Sequence, residues 1–145
     1  MIKLGKYFSL EELIVTHENL DNTPGPIQIQ KLKELVKNIL DPLREMINEP
    51  IVVNSGYRTL AVNKAIGGAQ KPISQHTKGE AADIECFDNA KLFQTIRDHF
   101  QFDQLIWEKG NSIQPDWVHV SFKSKGNRNQ ILKFQNKKYI QLWKT

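Results

Sequence analysis

Apolar residues recur at intervals of three and four in several parts of the chain, the spacing that brings side chains to one face of an α-helix. The longest such pattern runs from residue 27 to about residue 47 and contains Asp41-Pro42. Because proline lacks a backbone N–H, we expect the helix to kink or restart there. The apolar positions of this helix are Leu32, Leu35, Val36, Ile39, Leu40, Leu43 and Ile47.

Shorter helices are predicted from signals in their first turns. Ser9 and Glu12 form the Ser-x-x-Glu pattern of a capping box, which predicts a helix through about Thr16. Asp88 is placed to cap a helix over residues 90–100. Residues 60–66 predict one or two further helical turns.

Strands are predicted where β-branched and aromatic residues alternate with polar residues or form short runs. The segments are residues 50–54, 82–86, 104–108, 117–122, 131–134 and 139–143. Helices dominate the first half and strands the second, so the sequence predicts an α+β fold. No repeat or linker divides the chain. We expect one domain over residues 1–145, with a β-hairpin at about 123–145.

Length and composition narrow the class of protein. A chain of 145 residues can bury a core without disulfides, and its one cysteine excludes an intramolecular disulfide. No apolar run approaches the roughly 20 residues of a transmembrane helix, so no membrane span is expected. The first six residues lack the apolar segment of a secretory signal.

Positive charge is concentrated near the C-terminus. Residues 123–145 contain seven Lys or Arg and no acidic residue, whereas residues 1–122 have a net charge of −3. Aromatic residues interleave with these lysines, a pattern also found in nucleic-acid-binding proteins. We favour the simpler interpretation, a terminal hairpin with a solvated basic face, and predict no nucleic-acid partner.

Three side chains able to bind a metal ion are spaced so that they could converge. Six residues separate His76 from Asp83, and they include Gly79 and two alanines, which allow turns and close packing. His119 follows Asp116 by three positions. A site with three N/O ligands leaves a position open for water, and a nearby carboxylate can accept that water's proton.

The predicted strands place the candidate ligands away from the core. Alternation puts Asp83 on the opposite face from Ile84, and His119 on the opposite face from Val118 and Val120. A ligand in a loop and two in strands could therefore meet at one point.

These residues resemble those of a known enzyme family. The run Ser74-x-His76-x-x-Gly79-x-Ala81-x-Asp83, followed downstream by a carboxylate-x-x-His segment, is similar to the M15 zinc peptidases of bacterial cell walls and phage endolysins. The family also carries an Arg in a Ser-Gly-Tyr-Arg segment, here Ser55 to Arg58. The resemblance covers about residues 8–122. Its opening, Phe8 to Leu13, is similar to the compact phage-type branch.

The resemblance implies a fold and a metal site. The expected fold is a small antiparallel sheet that carries the site and packs against N-terminal helices, as in D,D-peptidases and the Hedgehog signalling domain. His76, Asp83 and His119 would be the ligands of a catalytic Zn²⁺.

The resemblance also implies roles for the residues around the metal. Asp116 would be the general base, and Arg58 would bind the scissile carbonyl or a substrate carboxylate. Ser74 would help to position the substrate. Several family members have Glu where this chain has Asp116, whose shorter side chain must reach the site by a different backbone path. Glu108, at the end of a predicted strand, is the alternative base.

The implied function is hydrolysis of peptide bonds in peptidoglycan stem peptides or cross-links. We expect a phage-type endolysin, made in the cytoplasm and acting on the cell wall after release, as a monomer. A D-alanyl-D-alanine carboxypeptidase is the alternative, and a non-catalytic, metal-stabilised cell-wall-binding module is another. The absence of a large insertion favours an endopeptidase, and Asp116 favours catalysis. The basic C-terminal segment could attract anionic cell-wall polymers.

Overall fold

The computed structural model describes residues 1–142 and has the predicted α+β architecture, with N-terminal helices and a six-stranded sheet. The helices are α1 (Leu10–Leu13), α2 (Pro26–Leu35), α3 (Asp41–Ile47), α4 (Leu60–Ala65) and α5 (Asn89–His99). The strands are β1 (Val52–Ser55), β2 (Ala81–Glu85), β3 (Gln104–Glu108), β4 (Trp117–Ser121), β5 (Gln130–Gln135) and β6 (Lys138–Leu142). Residue 143, predicted to end the last strand, lies outside the described residues.

The capping box at α1 is confirmed, but the helix is shorter than predicted. It ends at Leu13 rather than near Thr16. The carbonyl of Leu13 accepts a hydrogen bond from the Tyr57 N–H at 2.7 Å, and that of Ile14 accepts one from the Asn22 side chain at 2.8 Å. Tertiary partners thus take the carbonyls that further helical turns would use.

The interruption predicted at Asp41-Pro42 takes the form of a π-helical segment, Val36–Leu40, between α2 and α3. The Asp41 N–H bonds to the Val36 carbonyl, five residues back. This wider turn suits a proline because the ring of Pro42 would otherwise crowd the carbonyl four residues before it. The chain therefore continues as a helix through the proline.

The strand order is β1-β2-β4-β3-β5-β6, and all neighbours are antiparallel except β3 and β5. The predicted antiparallel sheet is thus confirmed, with one parallel pair. One face of the sheet contributes Ile84, Leu105 and Val120 to a single core shared with the helices. The opposite face carries Asp83 and His119. None of the helices within residues 1–142 has the length and apolar character that a membrane span requires.

Gly79 lets the chain pass close to α2 just before β2. Its φ is +76°, and an added Cβ would lie 2.7 Å from the Gln28 carbonyl oxygen. Gly67 also has a φ of +76° but nothing within 4 Å of an added Cβ, so Gly67→Ala is a matched control. We expect urea unfolding to show a loss of about 1 kcal/mol for Gly67→Ala, from left-handed strain alone, and about 3 kcal/mol for Gly79→Ala. Equal losses would contradict a role for the Gln28 contact.

Candidate metal centre

Asp83 and His119 are held side by side by the pairing of β2 with β4. The register makes them direct cross-strand neighbours, so both side chains project from the same face of the sheet. His119 Nδ1 lies 3.1 Å from Asp83 Oδ1. The other face of both strands is buried in the core, and a register shift by one residue would expose it. Core packing therefore fixes this pair.

His76 reaches the same point from a short 3₁₀ turn, Gln75–Lys78, that precedes β2. The Ser74 hydroxyl caps this turn by accepting a hydrogen bond from the His76 N–H at 3.2 Å. The His76 carbonyl accepts one from the Arg58 N–H at 3.1 Å, which ties the turn to the loop after β1. His76 Nε2 consequently lies 3.3 Å from Asp83 Oδ1.

The second nitrogen of each imidazole faces an oxygen acceptor. His76 Nδ1 is 2.7 Å from the Gly56 carbonyl oxygen, and His119 Nε2 is 3.2 Å from Gln75 Oε1. A neutral imidazole that donates one N–H in this way leaves the other nitrogen unprotonated. With a metal ion bound, the unprotonated nitrogen of each ring would be the one that faces Asp83, which is the arrangement of metal-binding histidines.

The cluster fits a metal ion in size as well as in chemistry. One ligand atom from each of His76, Asp83 and His119 lies within 4.8 Å of the others, and all three residues are buried. A tetrahedral ion with bonds of about 2.0–2.2 Å separates adjacent ligand atoms by roughly 3.3–3.6 Å. His119 Nδ1 and His76 Nε2 lie 3.1 and 3.3 Å from Asp83 Oδ1, close to that range. The predicted grouping is therefore confirmed as a possible metal site.

The surroundings keep Asp83 ionised. Burial alone would raise the pKa of Asp83, but His76 and His119 outweigh burial and hold that pKa well below its usual value. An ionised carboxylate between two imidazole nitrogens is the charge state that a cation requires.

Arg58 lies against the outer oxygen of Asp83. Its Nη2 is 3.3 Å from Asp83 Oδ2, its Nε donates to Ser55 Oγ at 2.9 Å and its Nη1 donates to Asn63 Oδ1 at 3.1 Å. Across residues 1–142 these bonds engage three of the five guanidinium N–H groups, which leaves two for a substrate oxygen. Burial lowers the pKa of Arg58, and the charges of Asp83 and Glu108 oppose that shift. Both carboxylates thus act on this one cation.

The two carboxylates considered as the base occupy different positions. In β3, Ile106 pairs with His119 and Glu108 pairs with Trp117, so Glu108 shares the face of His119. Such diagonal neighbours have Cα atoms about 7–8 Å apart, which leaves room for a water molecule between the side chains. Glu108 is 9% exposed. No group within residues 1–142 hydrogen-bonds its carboxylate, which is therefore available to a substrate or water.

Asp116 lies outside this cluster. It is exposed and directly precedes β4, where its N–H bonds to the Glu108 carbonyl at 2.9 Å. Asp116 lies at a bend just outside β4, where strand alternation does not fix the direction of a side chain. Ion pairs bring His76, Asp83, His119 and Arg58 together, and the assignment of Asp116 as the general base stays a prediction.

A model of the peptidase M15 family matches residues 6–121. The matched range is most of the chain and contains all the residues of the cluster. This protein belongs to the peptidase M15 family. Membership implies peptide hydrolysis, and the His/Asp/His cluster is a possible metal site for such a peptidase. No curated protein shows significant sequence similarity to the chain.

In this M15 peptidase, burial raises the pKa of Glu108 to about 7, with Asp83 adding to the shift and His119, Lys109 and Arg58 opposing it. A base that titrates near neutral pH can accept a proton and also return it. The pKa of Glu108 therefore suits proton transfer, which the sequence alone did not reveal.

The raised pKa of Glu108 also predicts how the stability of the metal-free peptidase depends on pH. Its ordinary value is 4.5, so between pH 4.5 and about 7 the folded state binds more protons than the unfolded state. Glu108 consequently destabilises the fold as pH rises through this window. We expect Glu108→Gln to gain stability relative to the unmutated chain by on the order of 2–3 kcal/mol between about pH 5 and pH 8. Urea unfolding with a chelator at both pH values measures this, and a constant difference would contradict it.

Ser74 has a structural task in this peptidase. Its hydroxyl oxygen accepts the His76 N–H, and its carbonyl accepts a hydrogen bond from the Thr77 hydroxyl at 2.7 Å. Ser74 therefore positions the turn that presents His76. The role in substrate positioning expected from the family resemblance stays a prediction.

The strands β5 and β6 continue the face that carries Glu108. Phe134 pairs with Glu108 on one side and with Tyr139 on the other, and the Phe134 and Tyr139 ring centroids are 4.6 Å apart. Burial raises the pKa of Tyr139, and the negative charges of Glu108 and Asp83 add to the shift. The C-terminal strands thus border the site, whereas the sequence had indicated only a basic hairpin. The sequence shows the alternation along each strand, but it does not show the order of the strands in the sheet.

Proposed function

We propose that this M15 peptidase hydrolyses peptide bonds in the stem peptides or cross-links of peptidoglycan, in the manner of a phage-type endolysin, with Zn²⁺ held by His76, Asp83 and His119. The observation that carries the proposal is the buried cluster of these three side chains beside a carboxylate, Glu108, whose oxygens accept no hydrogen bond from residues 1–142. Two imidazoles and one carboxylate suit Zn²⁺, and three protein ligands are typical of catalytic rather than structural zinc.

Each residue of the site has a separate task in the proposed reaction. When bound, Zn²⁺ supplies Lewis-acid polarisation of the scissile carbonyl and lowers the pKa of water. Glu108 accepts the proton of the attacking water and then delivers it to the leaving amine. The remaining N–H groups of Arg58 donate to the carbonyl oxygen as negative charge develops on it. Asp116, which is exposed and lies at the bend before β4, is the alternative base.

The state of Arg58 favours an endopeptidase. A carboxypeptidase needs a cation for the terminal carboxylate of its substrate. Arg58 is already neutralised by Asp83 at 3.3 Å, and its side chain is only 12% exposed. It is therefore better suited to a neutral carbonyl that becomes negative than to a substrate carboxylate.

One observation favours the alternative, a D-alanyl-D-alanine carboxypeptidase. Lys109 follows Glu108, its charge lowers the Glu108 pKa, and its Nζ lies 5.4 Å from the centroid of the Trp117 ring. A lysine at this edge of the site could bind a terminal carboxylate. The two candidates predict different substrates, so a cleavage assay separates them.

The test is to digest purified peptidoglycan and identify the new termini by mass spectrometry. A cross-linked or internal peptide is compared with a free stem that ends in D-alanyl-D-alanine. We expect new termini inside stems or cross-links, and no product with a chelator or with His76→Ala. Faster release of terminal D-alanine from the free stem would favour the carboxypeptidase. No cleavage of either substrate by the zinc-loaded protein would contradict the proposal.

Arg58→Ala should lower kcat more than it raises KM, because a donor that meets developing charge acts mainly in the transition state. The expected loss of kcat is about 10²-fold, the usual cost of losing such a donor. Arg58→Lys keeps the charge but cannot reproduce the bonds to Ser55, Asn63 and Asp83, so it should recover little activity. Steady-state kinetics on an internal peptide measures both variants. A rise in KM alone would instead assign Arg58 to binding of a substrate carboxylate.

A further inference from the structure

The metal-binding histidine of β4 is connected to a buried ion pair on the far side of the site. His119 Nε2 lies 3.2 Å from Gln75 Oε1, and Gln75 Nε2 lies 2.6 Å from Asp103 Oδ2. Asp103 immediately precedes β3 and is completely buried. A chain of hydrogen bonds thus runs from a carboxylate, through an amide, to a metal ligand.

The chemistry of these groups fixes the direction of every bond in the chain. An ionised carboxylate can only accept, so the amide of Gln75 must turn its NH₂ group toward Asp103. The oxygen of Gln75 then faces His119 and can only accept a hydrogen bond. With a metal ion on Nδ1, His119 carries its proton on Nε2, and Gln75 Oε1 is placed to accept that N–H. The amide of Gln75 thus links the charge state of Asp103 to the orientation of the metal-binding imidazole.

Arg128 holds Asp103 in that charge state. Its backbone N–H and its Nε reach Asp103 Oδ1 at 3.1 and 2.9 Å, and its Nη2 reaches Oδ2 at 2.8 Å. Burial alone would raise the pKa of Asp103, but the hydrogen bonds from Arg128 outweigh burial and lower it. Arg128 lies beyond residue 121, where the match to the M15 family model ends.

We propose that Gln75, Asp103 and Arg128 are positioning residues that hold His119 in the tautomer able to bind the metal ion. They touch neither the ion nor the substrate and act through His119. In this chain the segment after β4 thereby supports the metal centre, although it contributes no ligand. This inference rests on the metal centre of the proposed function.

The test observes the His119 Nε2–H directly in the zinc-loaded protein, by proton and nitrogen NMR of the imidazole rings. In the unmutated chain we expect this N–H resonance to be shifted downfield by its hydrogen bond to Gln75. Gln75→Leu removes the acceptor and should shift the resonance upfield. Asp103→Asn can donate to Gln75 and turn its amide around, which should shift the resonance in the same direction. The Nδ1–H resonance of His76 should not change in either variant, because its partner is the Gly56 carbonyl.

Zinc affinity gives the second readout, by competition with a chromophoric chelator. We expect Gln75→Leu and Asp103→Asn to weaken zinc binding by roughly 10- to 100-fold, the usual effect of losing an outer partner of a ligand. Asn127→Ala is the matched control, since Asn127 bonds to both the N–H and the carbonyl of Lys123 at 2.8 Å in the same loop. It should change neither the His119 N–H resonance nor the zinc affinity.

An unchanged His119 N–H resonance together with unchanged zinc affinity in Gln75→Leu would overturn the inference. So would an equal loss of affinity in Asn127→Ala, because the effect would then belong to the loop as a whole. Gln75→Leu removes no charge, so it decides the question even where Asp103→Asn does not fold. If the unmutated chain binds zinc and Gln75→Leu binds it equally well, only the inference fails; if the unmutated chain binds no zinc, the metal centre of the proposed function fails with it.

Discussion

Glu108→Gln is expected to lower kcat by roughly 10²-fold or more while zinc binding is retained. The substitution keeps the size of the side chain and removes only its capacity to accept a proton. Glu108 lies on the same face as His119, is nearly buried, and is not engaged by other groups within residues 1–142. Its loss should therefore stop proton transfer without disturbing His76, Asp83 or His119.

Asp116→Asn is the matched control for Glu108→Gln, since it makes the same chemical change eight residues along the chain. Asp116 is exposed and lies at the bend that precedes β4. We expect its kcat to stay within about twofold of the unmutated chain, as is usual for a surface substitution. Kinetics on an internal peptide, with metal analysis of each preparation, measures both variants. Full activity in Glu108→Gln and its loss in Asp116→Asn would return the base to Asp116.

His76→Ala is expected to reduce bound zinc from about one equivalent per chain to well below half of that. The variant removes one of three protein ligands and leaves a hole in a buried site. Metal analysis after dialysis measures the stoichiometry. His99→Ala is the control, because His99 is an exposed imidazole at the end of α5 and should have no effect.

Thermal unfolding provides an independent check on His76→Ala. A ligand at 100 times its Kd stabilises a folded protein by about 2.7 kcal/mol. Added zinc should therefore raise the melting temperature of the unmutated chain and of His99→Ala, and leave that of His76→Ala nearly unchanged. Full retention of zinc by His76→Ala, with the same stabilisation, would contradict the assignment of His76 as a ligand.

The grouping of the metal-binding side chains could be predicted from the sequence because its cues are local. His76 and Asp83 lie within one short run, and the alternation in β2 and β4 is clear enough to assign Asp83 and His119 to the face opposite the core. The helices and strands followed from periodicity and caps for the same reason. The end of α1 could not be predicted, because the carbonyls of Leu13 and Ile14 accept hydrogen bonds from Tyr57 and Asn22, which are distant in sequence.

The residues that surround the metal centre could not be predicted because they depend on which strands are neighbours. Glu108 was only the alternative to Asp116 because the family resemblance implies the carboxylate three residues before His119 as the base. Only the β3–β4 register shows that Glu108 shares the face of the ligands. Gln75 is next to His76 in sequence, yet its task depends on Asp103, 28 residues away. These roles depend on strand pairing and on buried hydrogen bonds between residues distant in sequence. Neither produces a local pattern in the sequence.

The central claim is that hydrolysis depends on zinc held by His76, Asp83 and His119. Zinc is added stepwise to chelator-treated protein, and the rate of cleavage of a cross-linked peptidoglycan peptide is measured at each step together with bound metal. The predicted result is a rate that rises in proportion to bound zinc up to about one equivalent per chain. In Glu108→Gln, zinc should bind to the same extent without producing activity. Cleavage at the full rate by the metal-free protein would contradict the claim.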